Sequence, residues 1–163
     1  SAQYFQCAKV LQYPEYAELL CSDVVEYFKD YDINCVISPA IGGIVVGSEV
    51  GRQLGVRTIF AERQDGDMML RRGFELSEAD RVLVVEDVVT TGGSVQEVID
   101  LVRQSGADVV GVGFLVDRSG RESVFDVEQH AVFKMDVITY DPESCPLCEQ
   151  GLPVEKPGSR NVK

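Results

Sequence analysis

The chain has 163 residues, 45% of them hydrophobic and 26% charged, which is enough apolar material for one core and too little for two; a single domain over residues 1–163 is expected. Its 15 Lys and Arg stand against 27 Asp and Glu, and the resulting formal charge of −12 weighs against a protein that binds nucleic acid over its whole surface. With no run of about 18 apolar residues and no signal segment at Ser1-Ala-Gln-Tyr-Phe, the sequence predicts a soluble, cytoplasmic protein with no membrane partner.

In chain order, Pro14 to Lys29 carries Ala17, Leu20, Val24, Tyr27 and Phe28 at helical spacing, with Pro and Glu in the first turn, and is expected to be an amphipathic helix. Cys35-Val-Ile-Ser38 is a short apolar strand that Pro39-Ala-Ile-Gly-Gly43 breaks. A helix from Ile44 to Leu54 follows, stopped by Gly55, and then a strand at Thr58-Ile-Phe-Ala61. Residues 62–80 are polar and interrupted by Gly66 and Gly73, a pattern that predicts a hairpin-like excursion and a candidate flap. Six arginines, Arg52, Arg57, Arg63, Arg71, Arg72 and Arg81, crowd this part of an otherwise acidic chain and leave room for a local anion site.

Arg81-Val-Leu-Val-Val-Glu86 has the pattern of a fully buried strand. Ser94 is the expected N-cap of a helix that ends near Ser105 and Gly106, and Val109 to Val116 is strand again. Continuous apolar strands alternating with helices predict a doubly wound α/β domain around a parallel sheet. Val137 to Tyr140 is the expected last strand, and from Asp141 onward Pro142, Pro146, Pro153 and Pro157 predict a loop-like tail.

Five cysteines, Cys7, Cys21, Cys35, Cys145 and Cys148, form an odd, dispersed set that suits a reducing compartment. Cys145 and Cys148 make one CxxC, open to reading as half a zinc site or a redox pair. Zinc needs two more ligands and the single histidine is His130, which favours a structural or incidental role. His130 lies in a mixed polar stretch and reads as a surface residue, not a general base.

In a sheet of this kind the ligand lies at the carboxyl ends of the strands. The most informative end is Val84-Val-Glu-Asp-Val-Val-Thr-Thr-Gly-Gly-Ser94, where two acids terminate a strand and a loop rich in hydroxyls and glycine leads into a helix. Loop amides and a helix N-terminus bind phosphate without a basic side chain, and Gly92 and Gly93 allow close approach. Thr90, Thr91 and Ser94 add hydroxyls, while Glu86 and Asp87 suit sugar hydroxyls or a divalent cation. A P-loop is excluded because no Gly-Lys-Ser/Thr triplet occurs, and Gly111-Val-Gly113 lacks the third glycine of a dinucleotide fingerprint.

The stretch Val84 to Ser94 resembles the phosphoribosyl pyrophosphate signature of the type I phosphoribosyltransferases. Tyr4-Phe-Gln-Cys-Ala, Ser38-Pro-Ala-Ile-Gly-Gly43, Phe60-Ala-Glu-Arg63, Leu70-Arg-Arg-Gly-Phe74, Val116-Asp-Arg-Ser-Gly120 and Cys145-Pro-Leu-Cys148 resemble bacterial orotate phosphoribosyltransferases with a short flexible hairpin. The resemblance implies that Glu86 and Asp87 hold the ribose hydroxyls, that Thr90, Thr91, Gly92, Gly93 and Ser94 cradle the 5-phosphate, and that Ala40, Ile41, Gly42 and Gly43 form a pyrophosphate loop. It implies that Arg118 faces orotate, and the hairpin's own Arg63, Arg71 and Arg72 are expected to compensate for a family lysine missing there. It also implies Mg2+ held mainly by the substrate, and a homodimer in which the hairpin serves the neighbouring site.

Two departures from the family pattern stand out. Asp67 in Asp65-Gly-Asp-Met68 replaces a lysine, and family members begin upstream of Ser1, so the expectation is either a missing N-terminal segment or an incomplete site. The alternatives to orotate phosphoribosyl transfer are a purine-base phosphoribosyltransferase and a regulatory protein that binds the sugar phosphate without turnover.

Overall fold

In the computed structural model, which describes residues 4–138 and 140–151, six strands form one sheet in the order β3-β2-β1-β4-β5-β6. The elements are α1 (Ala8–Leu11), α2 (Pro14–Phe28), β1 (Cys35–Pro39), α3 (Gly42–Leu54), β2 (Arg57–Gln64), β3 (Asp67–Leu70), β4 (Arg81–Val89), α4 (Gly93–Gln104), β5 (Asp108–Asp117), β6 (Gln129–Lys134) and α5 (Pro146–Glu149). All neighbours pair in parallel except β2 and β3, which form the expected antiparallel hairpin.

The buried strands explain themselves by alternation. Ile37, Val82, Val84, Val112 and Phe114 pack against Val95, Val98, Ile99 and Val102 of α4. Val36, Leu83, Val85 and Leu115 face Cys21, Val24 and Phe28 of α2 and Val46 and Val50 of α3. With a helix layer on each face, both side-chain sets of the central strands are apolar, hence the continuous runs in the sequence. Gly111 lets α2 lie close to β5, since a Cβ there would come within 2.6 Å of Phe28 Cε1. Truncating Phe28 to Ala would cost about 3–5 kcal/mol at such a packed site. Among the described residues no helix is long and apolar enough to cross a membrane.

Several expectations are corrected. Helix α3 starts at Gly42, two residues before Ile44, and β4 runs past Glu86 to Val89 because Val88 and Val89 still pair with Val116 and Asp117 of β5. The N-cap of α4 is Gly92, at φ 80°, and not Ser94, which lies inside the first turn. The last strand is Gln129–Lys134; Val137, Ile138 and Tyr140 lie outside any strand, and Thr139 is outside the described residues. Strand β6 escaped notice because it pairs on one side only, so it lacks a continuous apolar run. Val132 packs toward α2 and Ala131 toward α4.

His130 therefore sits in β6, half-buried, stacked on Tyr27 with ring centroids 4.3 Å apart and its Nε2 2.5 Å from Asp23 Oδ1. It ties β6 to α2 and is not a bare surface group. The tail from Asp141 holds a single turn at Pro142–Ser144 and the short α5; Pro153 and Pro157 lie outside the described residues.

Candidate active site

Strands β1 and β4 are parallel neighbours, but the chain leaves β1 toward β2 and leaves β4 toward β5. Their carboxyl ends thus open a crevice at the point where the winding reverses, the usual ligand position in such a sheet. From one side comes the loop Ala40-Ile41 and the first α3 residues, Gly42 and Gly43; the Ala40–Ile41 peptide is cis and Ile41 is exposed. From the other side come Glu86 and Asp87.

The two sides meet closely. A Cβ at Gly42 would lie 2.8 Å from Asp87 Oδ2, and one at Gly43 would lie 2.8 Å from Glu86 Oε1. Both acids are half-buried and are ordered by the backbone, since the Asp87 amide donates to Glu86 Oε1 at 3.0 Å and the Val88 amide to Asp87 Oδ1 at 2.8 Å. The N-terminal segment reaches the same place. Burial pushes the Cys7 thiol up to about 12, helped by the negative charges of Asp87 and Glu86, and Cys7 Sγ lies 3.8 Å from the Asp87 carbonyl. Cys7 was not singled out by its residue type; only its closeness in space marks it.

The loop after β4 is built around Gly92. Its φ of 80° favours glycine, and a Cβ would meet Val124 Cγ1 at 2.6 Å, so two constraints select the same residue. Gly93, exposed at the α4 N-terminus, has only Thr91 Oγ1, at 3.7 Å, near the place of a Cβ, and its amide donates to that same oxygen at 3.4 Å. Ser94 is half-buried in that first turn.

Thr90 and Thr91 line a cavity of ≈ 390 Å³ together with Arg118, Ser119, Arg121 and Asp136. The structure thus joins the hydroxyl loop of β4 to Arg118 at the end of β5, whose amide donates to the Val89 carbonyl at 2.8 Å. Ser119 belongs to the quoted segment Val116–Gly120 with no role given to it, and Arg121 and Asp136 carry no motif in the sequence. Their signal was weak, because a turn such as Asp117-Arg-Ser-Gly120 gives no hint of what it faces.

Arg63 and Arg71 lie on the hairpin side of the sheet. Arg63 donates to the Gly66 carbonyl at 2.6 Å and pairs with Glu97 of α4 at 2.6 Å. Arg72 forms a two-pronged pair with Glu62, at 2.7 and 2.9 Å, and lies over the Phe60 ring at 5.6 Å. Arg71 is exposed beside it. Arg63 and Arg72 are thus paired with acids of α4 and of the hairpin, and Asp67 lines a cleft with Glu97 and Asp100.

As for a divalent cation, no group of three or more His, Cys, Asp and Glu side chains is clustered among the described residues. The hard oxygens of Glu86 and Asp87, with glycine backbone directly opposite, fit Mg2+ that keeps most of its ligands from substrate and water.

A winding-reversal crevice with an acid-ended strand, a hydroxyl and glycine loop, and a second glycine loop opposite is an arrangement suited to a phosphorylated sugar. Residues 17–143 match the phosphoribosyl transferase domain family. The chain is 58% identical over 161 residues to an orotate phosphoribosyltransferase of Chlorobaculum parvum, covering 99% of this chain and 83% of that one. Among solved structures, adenine phosphoribosyltransferase from Thermoanaerobacter pseudethanolicus superimposes with a TM-score of 0.72 at 16% identity, covering 81% of this chain and 88% of that one. Orotate phosphoribosyltransferase of Mycobacterium tuberculosis, solved with inorganic phosphate, gives 0.68 at 23% identity, covering 81% and 78%. The chain belongs to the phosphoribosyltransferase family, within its orotate phosphoribosyltransferase group.

Proposed function

We propose that this chain transfers the 5-phosphoribosyl group from phosphoribosyl pyrophosphate to orotate, giving orotidine 5'-monophosphate and pyrophosphate in pyrimidine nucleotide synthesis. The observation that carries the reading is the cavity shared by Thr90, Thr91 and Arg118, lined by the loop that continues the strand bearing Glu86 and Asp87. It offers a phosphate site and an anionic-base site on adjacent strand ends, and the names of the relatives supply the base.

The reaction breaks the bond from C1 of the ribose to pyrophosphate while a ring nitrogen of the base approaches, through a sugar with cationic character. Charge must therefore be neutralised at the leaving group and the sugar must be fixed in place; no nucleophilic side chain is required. Thr90, Thr91, Ser94 and the amides of Gly92 and Gly93 hold the 5-phosphate at the α4 N-terminus. Glu86 and Asp87 accept hydrogen bonds from the ribose hydroxyls. The amides of the loop Ala40 to Gly43 face the leaving pyrophosphate, and Arg118 pairs with the carboxylate or a ring oxygen of orotate. Glu86 and Asp87 would help to hold a substrate-borne Mg2+, which would supply neutralisation of leaving-group charge.

The assembly we propose is a homodimer in which Arg63 and Arg71 of the hairpin serve the neighbouring site. The buried thiols Cys7, Cys21 and Cys35 suit a reducing, cytoplasmic setting. Consumption of orotate with phosphoribosyl pyrophosphate and Mg2+, measured beside a panel of purine bases, tests the function. Turnover of orotate alone is expected. Turnover of a purine instead would replace the base assignment, and binding of the sugar phosphate without turnover of any base would make this a regulatory protein.

A further inference from the structure

The five cysteines divide into two groups. Cys7, Cys21 and Cys35 are buried inside the sheet and helix layers, and burial pushes their thiols up to about 12, 12 and 11. Cys145 and Cys148 lie outside both cores, the first half-buried and the second exposed. Cys145 is the extended N-cap of α5 and Cys148 the third residue of the helix that Pro146 opens. Side chains at the N-cap and the third helical position face each other across the first turn, which sets the pair up for the short approach a disulfide requires. Their side chains are hydrogen-bonded to each other.

We propose that Cys145 and Cys148 form a reversible dithiol–disulfide site that exchanges with small-molecule disulfides of the glutathione type. The alternative of a zinc site needs further ligands, and no third His, Cys, Asp or Glu joins the pair among the described residues. The roles of the two sulfurs differ. Hydrogen bonds from the amide and thiol of Cys148, and from the amide of Leu147, hold the Cys145 thiol below its ordinary value, while donation to Cys145 raises Cys148. Cys145 is thus the attacking thiolate and Cys148 the resolving thiol.

In the first step the Cys145 thiolate attacks one sulfur of the small-molecule disulfide, forming a mixed disulfide and releasing one thiolate. In the second, the Cys148 thiol gives up its proton and attacks Cys145 Sγ, expelling the second small thiolate. The protein dithiol loses two electrons and two protons and one disulfide becomes two thiols, so the exchange balances.

The test is incubation of the native protein in graded mixtures of reduced and oxidised glutathione, followed by alkylation under native conditions and mass mapping of every cysteine. The expected result is an intramolecular Cys145–Cys148 bond that forms and reverses with the redox mixture. Cys145 in the reduced protein should alkylate at least tenfold faster than Cys35, which is fully buried and whose thiol burial pushes up to about 11. Cys148→Ser should stop at a stable mixed disulfide on Cys145, and Cys145→Ser should slow adduct formation at Cys148 at least tenfold. Oxidation spread evenly over all five cysteines would overturn the proposal, as would no oxidation in the most oxidising mixture or zinc retained by the native protein with both thiols protected.

Discussion

The crevice between β1 and β4 and the hairpin β2–β3 both carry charge, yet they hold it in opposite ways. In the crevice, Glu86 and Asp87 are pinned by backbone amides and pressed against Gly42 and Gly43 with no room for a methyl group. In the hairpin, Arg63 and Arg72 are exposed and answered by Glu97 and Glu62, pairs that solvent screening keeps weak. The first arrangement is rigid before any ligand arrives, which suits a site that must fix a sugar. The second exchanges partners at little cost. Changes in the crevice should therefore be severe and changes in the hairpin mild.

Gly92→Ala is the harshest way to break that contrast. A side chain there needs a left-handed backbone and drives Cβ to 2.6 Å from Val124 Cγ1. Strain of about 1–3 kcal/mol adds to overpacking of about 1–3 kcal/mol. Gly73→Ala, after the hairpin, shares the positive φ but has nothing within 4 Å of the new atom, so it should cost only about 1–2 kcal/mol. Urea unfolding of the two variants measures the difference; equal losses would mean that the crevice loop has slack.

Asp87→Asn should weaken binding of phosphoribosyl pyrophosphate by about 1.5–3 kcal/mol while unfolding stays within about 0.5 kcal/mol of the parent. Calorimetric binding unchanged from the parent would remove Asp87 from the sugar site. Arg118→Ala should raise the KM for orotate about tenfold or more and leave sugar-phosphate binding within about twofold, since its charge-assisted bond is to the base. Equal losses for both ligands would make Arg118 a residue that shapes the cavity as a whole.

How far the sequence revealed these regions follows from the same physics. Buried parallel strands announce themselves because both faces are apolar, so β1, β4 and β5 and the loop after β4 were legible. Strand β6 was not, since Gln129, His130 and Lys134 reflect a strand paired on one side, and Val137 to Tyr140 looked more strand-like than it is. Ser94 has the chemistry of an N-cap, but the left-handed turn at Gly92 ends the loop two residues earlier. The meeting of Thr90 with Arg118, and of Cys7 with Asp87, joins segments far apart in the chain. No local pattern encodes such a meeting.

The link between the hairpin and β4 offers a milder test through pH. Asp80 is buried, which alone would raise its pKa, but hydrogen bonds from Arg57 at 2.6 Å and from the Ser77 amide at 2.7 Å hold it below the usual carboxylate value. A carboxyl depressed in the folded state contributes stability above its unfolded pKa of about 3.9 and loses that contribution as pH falls through the folded value. The stability gap between the parent and Asp80→Asn should therefore be full at neutral pH, about 1–2 kcal/mol for a half-exposed pair, and should narrow below about pH 4. A gap that stays constant from neutral pH to pH 3 would show that the Asp80 charge is irrelevant to the anchor.

The smallest effect expected, and the one that most sharpens the contrast, is Asp67→Lys. Asp67 lines a cleft of ≈ 370 Å³ with Glu97 and Asp100, so three acids gather where the hairpin meets α4. A lysine there removes like-charge repulsion and competes with Arg63 for Glu97, which should add about 0.2–1 kcal/mol of stability at low salt and less at high salt. Under the proposed function the hairpin also leaves α4 to meet pyrophosphate in a second protomer. There an aspartate repels the developing charge and a lysine attracts it, within a closed and drier site that magnifies both. The new lysine therefore has two competing partners, the α4 acids in the open state and pyrophosphate in the closed one. Exposed acids hold a lysine weakly, so pyrophosphate should win, and single-turnover rates should rise more than twofold at low salt. Greater stability with rates within twofold of the parent would mean that the hairpin stays docked on α4 and takes no part in the chemistry.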